Sequence, residues 1–377
     1  DVCSSDLMYR NFIFCAAALV VSLTAYADGA KKATASKNIF FEQGMALSES
    51  RYPKGYNAPA QIAVDKGWDL DINASFIYWH TSQEMMDLAS KNSLAQQTPE
   101  TIAYQPFDYK PGFKIGAGWK SNYDQWSLVA EYTWLHQSTS YSNTLSSGYY
   151  WNLSDWFDLL DLAQTSMGSQ ATEYFPKTLK SSWSLHFDLV DVAVTRPFYQ
   201  GKAICVSPYA GLRALWITQK MSLFANPNTS SSVTSLNQSH CWSLGPNVGA
   251  GAHWLLSNGF RFEGLASTAL LYTSYTKLST RQILSPLATV PLTTLTIQAS
   301  SSDYNALRPS LQLGVGMGWG IYFYKNQGYF DLSTRYDFLQ FWNQNMMRYW
   351  TSVLYGTPEP IGDLQLHGLT ATARLDF

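Results

Sequence analysis

Charged residues are scarce in this sequence. Lys, Arg, Asp and Glu together make up 14% of the 377 residues, whereas a soluble domain contains about 25%. The two signs are nearly balanced, with 25 basic and 27 acidic residues and a formal net charge of −2. Because there is no excess of positive charge to attract a polyanion, the composition argues against nucleic-acid binding.

Long apolar runs are also lacking. The mean hydropathy is −0.16, and only one extended apolar stretch occurs, so a bundle of membrane-spanning helices is excluded. Intrinsic disorder is excluded as well, because hydrophobic residues reach 46% and aromatic residues 15%. A large all-β protein remains, and the combination of little charge with many aromatic residues favours a bilayer over water as its surroundings.

The first residues predict a secretory signal peptide at 8–27. Met8–Asn11 are short and positively charged, Phe12–Leu23 form an apolar stretch of 12 residues, and Ala25 and Ala27 fit a cleavage site. An anchoring helix is the alternative, although such a stretch is too short to cross a bilayer. Residues 28–66 are then predicted to be a polar periplasmic lead-in, and residues 67–377 a single barrel domain.

Cysteine is rare too. Of the four cysteines, Cys205 and Cys241 lie beyond the predicted cleavage site, and an exported protein meets conditions that permit disulfides. Cys205 begins one predicted strand, 203–218, and Cys241 begins the returning strand, 241–255. The two residues therefore lie at opposite ends of one hairpin, about 30 Å apart at the usual rise per residue. A disulfide needs Cα atoms within about 7 Å, so the sequence predicts two free, buried thiols.

Apolar and polar residues alternate with a period of two along most of the chain, which is typical of β-strands with one apolar face. In the fourth strand the alternation changes phase near Val190, which indicates a β-bulge. Ten strands are predicted, at 68–79, 113–120, 126–134, 183–195, 203–218, 241–255, 259–275, 309–323, 328–341 and 369–377.

The connections between these strands alternate between short turns and long polar segments. The turns are 121–125, 196–202, 256–258 and 324–327, and the long loops are 80–112, 138–182, 219–240, 276–308 and 342–363. This pattern is typical of a transmembrane barrel with short periplasmic turns and long outer loops. A sheet in lipid must close because lipid offers no partner to free backbone groups. The predicted fold class is therefore all-β, a transmembrane antiparallel up-and-down β-barrel of ten strands, or of twelve or more if parts of 143–151 or 288–299 pair.

Strand parity assigns the apolar residues to the lipid side and the polar residues to the lumen. Lys120, Asp188 and Asp376 fall on the lumen side. The candidate pore-lining residues, which carry charges of both signs, also fall on the lumen side: Asp69, Asp71, Lys114, Glu131, Arg213, Arg261, Glu263, Asp331, Arg335, Asp337 and Arg374. Burying so many unpaired charges in a dry core would be costly. Two roles are open for them: an ion-pair network that fills the barrel, or tuning of a pore. Four alternating glycines share this face and indicate a need for room: Gly314, Gly316, Gly318 and Gly320.

Support for catalysis is weak. His80 with Ser82, and His136 with Ser138, stand two positions apart and could pair a base with a nucleophile. Such pairs arise by chance in a Ser-rich chain. No His, Cys or Glu spacing is typical of a metal site, and no Gly-rich phosphate loop follows a strand. The sequence therefore predicts no enzyme, no metal and no cofactor.

The chain ends on a strand whose last residue is Phe377. A terminal aromatic residue on such a strand is the pattern that the outer-membrane barrel assembly machinery recognises. Phe377 is therefore the predicted assembly signal, and the assembly machinery is a predicted partner.

Four stretches resemble the major outer membrane protein-like, pore-forming barrels of Legionella and of chlamydia-related bacteria. They are WDLDINASFIYW at 68–79, PYAGLRALWI at 208–217, YDFLQFWNQN at 336–345 and HGLTATARLDF at 367–377. The resemblance spans most of 65–377 but omits the long loops. It implies a bacterial outer-membrane β-barrel with porin-like activity. Relatives in the pathogenic chlamydiae are rich in cross-linked cysteine, a feature from which this chain departs.

The predicted function is passive diffusion of small hydrophilic solutes or ions across the outer membrane. A non-conducting structural or adhesin-like surface barrel is the alternative. Strand number bears on the choice, because a barrel of about eight strands is filled by side chains while one of 16–18 strands encloses an aqueous channel. The predicted partners are outer-membrane lipid, the assembly machinery and the solutes, with no nucleic acid, and homo-oligomerisation stays open.

Overall fold

The computed structural model describes residues 58–62, 64, 67–95, 98–121, 125–157, 175–200, 203–226, 232–285, 295–353 and 359–377. The predicted signal peptide and most of the predicted lead-in lie outside these residues.

Ten long strands form the body of the molecule, as the alternation predicts. They are β1 (Leu70–Gln83), β2 (Tyr109–Lys120), β3 (Ser127–Thr144), β4 (Thr178–Thr195), β5 (Ile204–Asn226), β6 (Val233–Leu255), β7 (Phe260–Leu284), β8 (Tyr304–Phe323), β9 (Gly328–Asn345) and β10 (Gly362–Asp376).

Each strand pairs antiparallel with the next one in sequence, and β10 pairs with β1, so the sheet closes on itself. At the seam Leu369 opposes Tyr78, and Asp376 opposes Asp71. Phe377 continues the seam, because its backbone exchanges two hydrogen bonds with Leu70, at 3.0 and 3.1 Å. The predicted up-and-down barrel of ten strands is confirmed.

The alternative of twelve or more barrel strands is wrong. Tyr149–Leu153 does form a strand, but it pairs with Asp87–Ser93, which in turn pairs with Pro99–Tyr104, in a separate three-stranded sheet. Leu295–Ser301 pairs with the outer part of β7 and does not enter the ring. These extra strands lie at the end of the barrel that carries the long connections, here called the loop end; the opposite end is called the short-turn end.

Strands β5, β6 and β7 extend well past their predicted limits. They contain 23, 23 and 25 residues, so the predicted loops 219–240 and 276–308 are in large part strand. The alternation continues there, since Met221 and Leu223 are buried. The outward positions are rich in Ser, Gln and Lys, and this composition is why the segments resemble loops in the sequence.

A short helix completes the loop end. Helix α1 (Met346–Val353) follows β9 directly, and a single 3₁₀ turn covers Asp155–Phe157. Met346, Met347 and Trp156 are buried among apolar side chains of the barrel. In the described part of the chain, no helix is both long and apolar enough to cross a membrane.

The outer face of the barrel is apolar around the ring. Outward side chains with much of their surface exposed include Ile72, Leu212, Val315 and Met317, the last at 53% exposed. Apolar surface on this scale is not left facing water in a soluble protein. The band is therefore the lipid-contacting surface, and the parity prediction for these side chains is confirmed.

Replacement of an outward residue by Arg tests this assignment. Met317 lies midway along the outward positions of β8, so we expect Met317→Arg to lower the free energy of unfolding from lipid by about 2–4 kcal/mol. Tyr324→Arg is the matched control, because Tyr324 is 81% exposed in the turn after β8, and it should change stability little. Urea titration in vesicles measures both. Equal, small effects would contradict the placement of β8 in the hydrocarbon.

Candidate functional site: the barrel interior

The interior of the short-turn half is charged. Ten of the eleven candidate pore-lining residues occupy inward positions of the strands, as parity predicts: Asp71, Lys114, Glu131, Arg213, Arg261, Glu263, Asp331, Arg335, Asp337 and Arg374. Asp69 is the exception, because it precedes β1 with a positive φ of 57°, and its carbonyl oxygen accepts a hydrogen bond from the Lys120 amide.

The first group of charges lies at the seam of the barrel. The guanidinium of Arg374 donates to Asp376 at 2.7 Å and lies 3.4 Å from a carboxylate oxygen of Asp71. The ammonium group of Lys120 also donates to Asp376, which is fully buried. Lys120 is on β2 and Asp376 on β10, so their contact passes over β1. Two cations and two carboxylates thus neutralise one another in this layer.

A second group lies around β8. Arg261 on β7 binds Asp331 on β9 and is also 3.2 Å from Glu263. Arg335 donates to Asp337 through two nitrogens, and Thr370 donates to the same carboxylate at 2.7 Å. The pair between Arg261 and Asp331 is made across β8, and the pair between Arg335 and Asp337 is made along β9. In this part of the lumen β8 itself contributes no side chain.

Glycine makes that arrangement possible. A Cβ atom at Gly318 would lie 2.6 Å from the guanidinium carbon of Arg261, and one at Gly314 would lie 2.7 Å from a carboxylate oxygen of Asp337. At Gly320 it would lie 1.9 Å from the hydroxyl of Tyr329. The prediction that these glycines provide room on the lumen face is confirmed, and the space is taken by side chains of the neighbouring strands.

A third group lies farther from the short turns. Arg213 is 1% exposed, and its guanidinium donates to both oxygens of Asp191 at 2.7 and 2.9 Å and to Gln312 at 2.6 Å. Gln312 belongs to β8, three strands away from β5, so this contact crosses the lumen. On β2, Lys114 donates to Glu131 at 3.1 Å.

The predicted bulge near Val190 is wrong, and this changes the roles of two acids. The pairing of β4 with β3 and with β5 is continuous from Thr178 to Thr195, so parity never changes. Asp191 therefore faces inward to Arg213, a partner that the sequence analysis missed. Asp188 faces outward, against the prediction, where it accepts a hydrogen bond from Tyr132 and lies 3.2 Å from His136.

The same strand shows that the loop half of the interior contains a cluster of buried apolar side chains, beside buried polar ones such as Gln219, Asn237 and Arg308. Trp183, Leu185, Phe187 and Leu189 point inward and are at most 1% exposed. The alternation of polar and apolar residues predicted that these four side chains contact lipid, and that prediction is wrong. Its premise that apolar residues face lipid fails here, because this part of the lumen is a packed core. The other walls contribute inward side chains of the same kind: Ile77, Trp79, Leu135, Leu215, Ile217, Met221, Leu271, Tyr275, Leu339, Phe341, Leu364 and Leu366.

Two rings meet across this core. The centroids of Phe187 and Phe341 are 5.6 Å apart with an interplanar angle of 64°. β4 and β9 are five strands apart in a ring of ten, so the two rings come from opposite walls. We call this packed region the apolar plug; it comprises the inward apolar side chains just named together with Cys241, Met346, Met347, Trp156 and Phe157.

Polar contacts attach helix α1 to the plug. Arg348 binds Asp87 at the start of the outer three-stranded sheet. Thr351 donates to Asn237 on β6 at 3.2 Å, and both residues are buried. Helix α1 is therefore held by the wall on one side and by the outer sheet on the other.

A cavity of about 570 Å³ remains in the short-turn half. Its wall includes Asp71, Lys120, Arg261, Asp331 and Arg374 from the ion pairs, together with Cys205 and His253. Residues 60–62 line it as well, and Gln61 donates to Ser127 at 3.2 Å. The charged residues thus form part of the wall of this cavity, and the apolar plug lies in the half beyond it.

Both described cysteines are buried and free, as predicted. Cys205 opposes His253 and Cys241 opposes Ile217 along the same hairpin. Cys241 and His253 are twelve positions apart on β6, so about 40 Å of strand separates the two thiols. Cys205 lines the cavity, whereas Cys241 belongs to the apolar plug.

Three of the four residues in the candidate His and Ser pairs contact other groups. Nε2 of His80 lies 3.2 Å from the carbonyl oxygen of Phe107, and Ser82 donates to Gln365. His136 contacts Asp188 and stacks on His186 with a centroid distance of 4.2 Å. Across the described ranges, no group of three or more His, Cys, Asp or Glu side chains is placed to hold a metal ion.

A closed antiparallel barrel with an apolar outer band and ion-paired charges inside is an outer-membrane β-barrel protein. The chain belongs to the family described as the Legionella pneumophila major outer membrane protein precursor, whose model matches residues 63–377. The family and the fold place the protein in the bacterial outer membrane. No curated protein matches the chain.

Three solved structures are similar to parts of the chain. The outer membrane protease OmpT from Escherichia coli shares 8% identity over 83% of this chain and 97% of its own, with a TM-score of 0.37. A major outer membrane protein from Thermus thermophilus shares 11% over 80% and 99%, with a TM-score of 0.25. The toluene transporter TodX from Pseudomonas putida shares 10% over 83% and 90%, with a TM-score of 0.20. These low identities and TM-scores carry no information about the function of this protein.

Proposed function

We propose that the protein is a structural outer-membrane barrel that does not conduct solutes in its resting state and displays its loop end at the cell surface. The observation that supports this most strongly is the contact between Phe187 and Phe341 from opposite walls. An apolar constriction of this kind excludes water and hydrated ions.

The charges inside the barrel support the same proposal. Arg213, Arg261, Arg335 and Arg374 each have at least one carboxylate partner within 4.0 Å. A paired guanidinium creates little net field for a passing ion. Of the two roles open for these residues, we therefore favour the ion-pair network that fills the barrel.

Planar-bilayer recording tests the proposal. We expect the refolded wild-type barrel to give no steady conductance above baseline at low voltage, because packed apolar side chains exclude water and hydrated ions. Samples must first show the mobility shift between unheated and boiled SDS gels, which verifies that the barrel is folded. A stable, wild-type conductance with discrete steps would overturn the proposal.

Passive diffusion through the same barrel is the second candidate, and the cavity of about 570 Å³ favours it. This cavity lies on the short-turn side of the apolar plug, so solute flow along the whole lumen would require the plug to move. Under this candidate, the wild-type protein would conduct at least intermittently, which the bilayer recording distinguishes from silence.

Catalysis forms no part of the proposal. His80, Ser82 and His136 each contact a group other than their candidate partner. We propose that Phe377 is recognised by the outer-membrane barrel assembly machinery, because it is an aromatic residue directly after the amphipathic strand β10.

A further inference from the structure

Four cations stand together on the outer surface of β4–β7, near the loop end. They are Lys180, Lys220, Lys277 and Arg281, all exposed, and we call them the cationic patch. Each occupies an outward position, because the inward positions beside them, such as Met221 and Gln282, are buried. The patch therefore faces the surroundings of the barrel and not its lumen.

The strand register brings the patch together. Lys220 opposes Ser184 on β4 and Gln238 on β6, while Lys277 opposes His240 on β6. Neighbouring strands are about 4.8 Å apart, so the four cations occupy a region about 15 Å wide across β4–β7 and, with Lys180 opposite Phe224, about 20 Å long along the strands. His240 lies between Lys220 and Lys277.

The patch has little negative charge beside it. Within the described ranges, none of the four cations forms an ion pair with a carboxylate. Asp188 is the outward acid on these strands, and Tyr132 and His136 already contact it. By contrast, Glu84 and Asp363 lie on the other side of the ring, beside β1 and on β10. Positive charge is thus gathered on one sector of the barrel.

The height of the patch is set by aromatic residues. Trp216 and Trp242 oppose each other on the outer face, and Trp242 is 6.1 Å from Tyr272 between ring centroids. Such residues form the girdle where hydrocarbon meets head groups. Lys220 is four residues beyond Trp216 towards the loop end. The cations therefore lie beyond this girdle towards the loop end, on the side of the lipid head groups, which is the outer side under the proposed function.

We propose that the cationic patch binds the phosphate groups of the phosphorylated glycolipid, lipopolysaccharide, that occupies the outer leaflet of a bacterial outer membrane. Lysine and arginine form charge-assisted hydrogen bonds with phosphate oxygens. Ser184, Gln238 and Ser279 are in register with the patch and add hydroxyl and amide donors. Acyl chains of the same lipid would cover the apolar band directly below.

The test compares two triple variants of equal charge change in the full barrel. Lys220→Gln/Lys277→Gln/Arg281→Gln removes patch charges, and Lys91→Gln/Lys110→Gln/Lys325→Gln removes charges elsewhere. Binding of fluorescent bisphosphorylated lipid A is measured in detergent. Loss of even one charge-assisted hydrogen bond corresponds to about a tenfold change in Kd. We therefore expect the patch variant to bind at least about tenfold more weakly and the other variant to bind like the wild type.

Two further arms identify the chemistry. Dephosphorylated lipid A should bind the wild type weakly, and inorganic phosphate at millimolar concentration should not displace the labelled lipid. The charge-preserving variant Lys220→Arg/Lys277→Arg/Arg281→Lys should restore binding. Equal loss in both glutamine variants, unchanged binding in the patch variant, or equal binding of the dephosphorylated lipid would each overturn the proposal. The lipid comparison needs no variant and so does not depend on how the variants fold.

Discussion

Replacement of Arg213 by Met is expected to lower the free energy of unfolding by about 3–5 kcal/mol, the usual cost of breaking a buried ion pair from one side. Arg213 is 1% exposed, and its loss leaves Asp191 without its two strongest hydrogen bonds. Gln312 on the facing wall also loses its partner. Urea titration of the refolded barrel in vesicles measures the change.

A double-mutant cycle separates the pair from the packing of the long side chain. Asp191→Asn in the Arg213→Met background should recover most of the loss, because no uncompensated charge then remains. Thr195→Ser serves as a control on the same strand at an end position, and should have little effect. If Arg213→Met were tolerated without cost, water would have to reach Asp191, and the interior would be more open than the burial of Arg213 indicates.

The second large effect concerns the apolar plug. Phe187→Ala and Phe341→Ala should each lower the free energy of unfolding by about 3–5 kcal/mol, since each creates a cavity in a packed core. Phe187→Leu, which keeps most of the volume, should cost less. The double variant should cost less than the sum of the single variants, because the rings contact each other.

The two natural thiols report whether water enters. Cys241 lies in the apolar plug and Cys205 lines the cavity. Alkylation followed by peptide mass spectrometry should show faster modification of Cys241 in the double phenylalanine variant, with little change at Cys205. Modification of Cys241 at the wild-type rate would mean that the plug closes the lumen without these two rings.

Parity alone predicted much of the short-turn half. Residues such as Asp71, Arg335 and Arg374 alternate with apolar neighbours in strands that lie in lipid, and there only one face can hold a charge. The same reasoning fixed the number of strands and the room provided by Gly314 and Gly318. This reasoning succeeds because each strand in this half has lipid on one face and polar groups on the other. Alternating residues can then be assigned to the two faces in only one way.

The loop half could not be predicted in this way. Parity shows which residues share a face, but it does not show whether that face is wet or packed. Trp183 and Phe187 are as apolar as lipid-facing residues, and only their contacts with distant elements such as Phe341 and helix α1 place them inside. Those contacts join segments far apart in sequence, and no local pattern records them. The misplaced bulge at Val190 arose from the same assumption.

The ion pairs that pass over β1 link the end of the chain to its beginning. Lys120 belongs to the first hairpin of the barrel, while Arg374 and Asp376 belong to the last strand. Until that strand arrives, Lys120 and Asp71 lack these partners of opposite charge. Insertion of the final strand therefore brings Arg374 to Asp71 and Asp376 to Lys120 in the same event that joins the two edges of the sheet. Ring closure is in this way coupled to formation of the ion pairs at the seam, and a chain truncated before β10 would lack these partners beside an open edge.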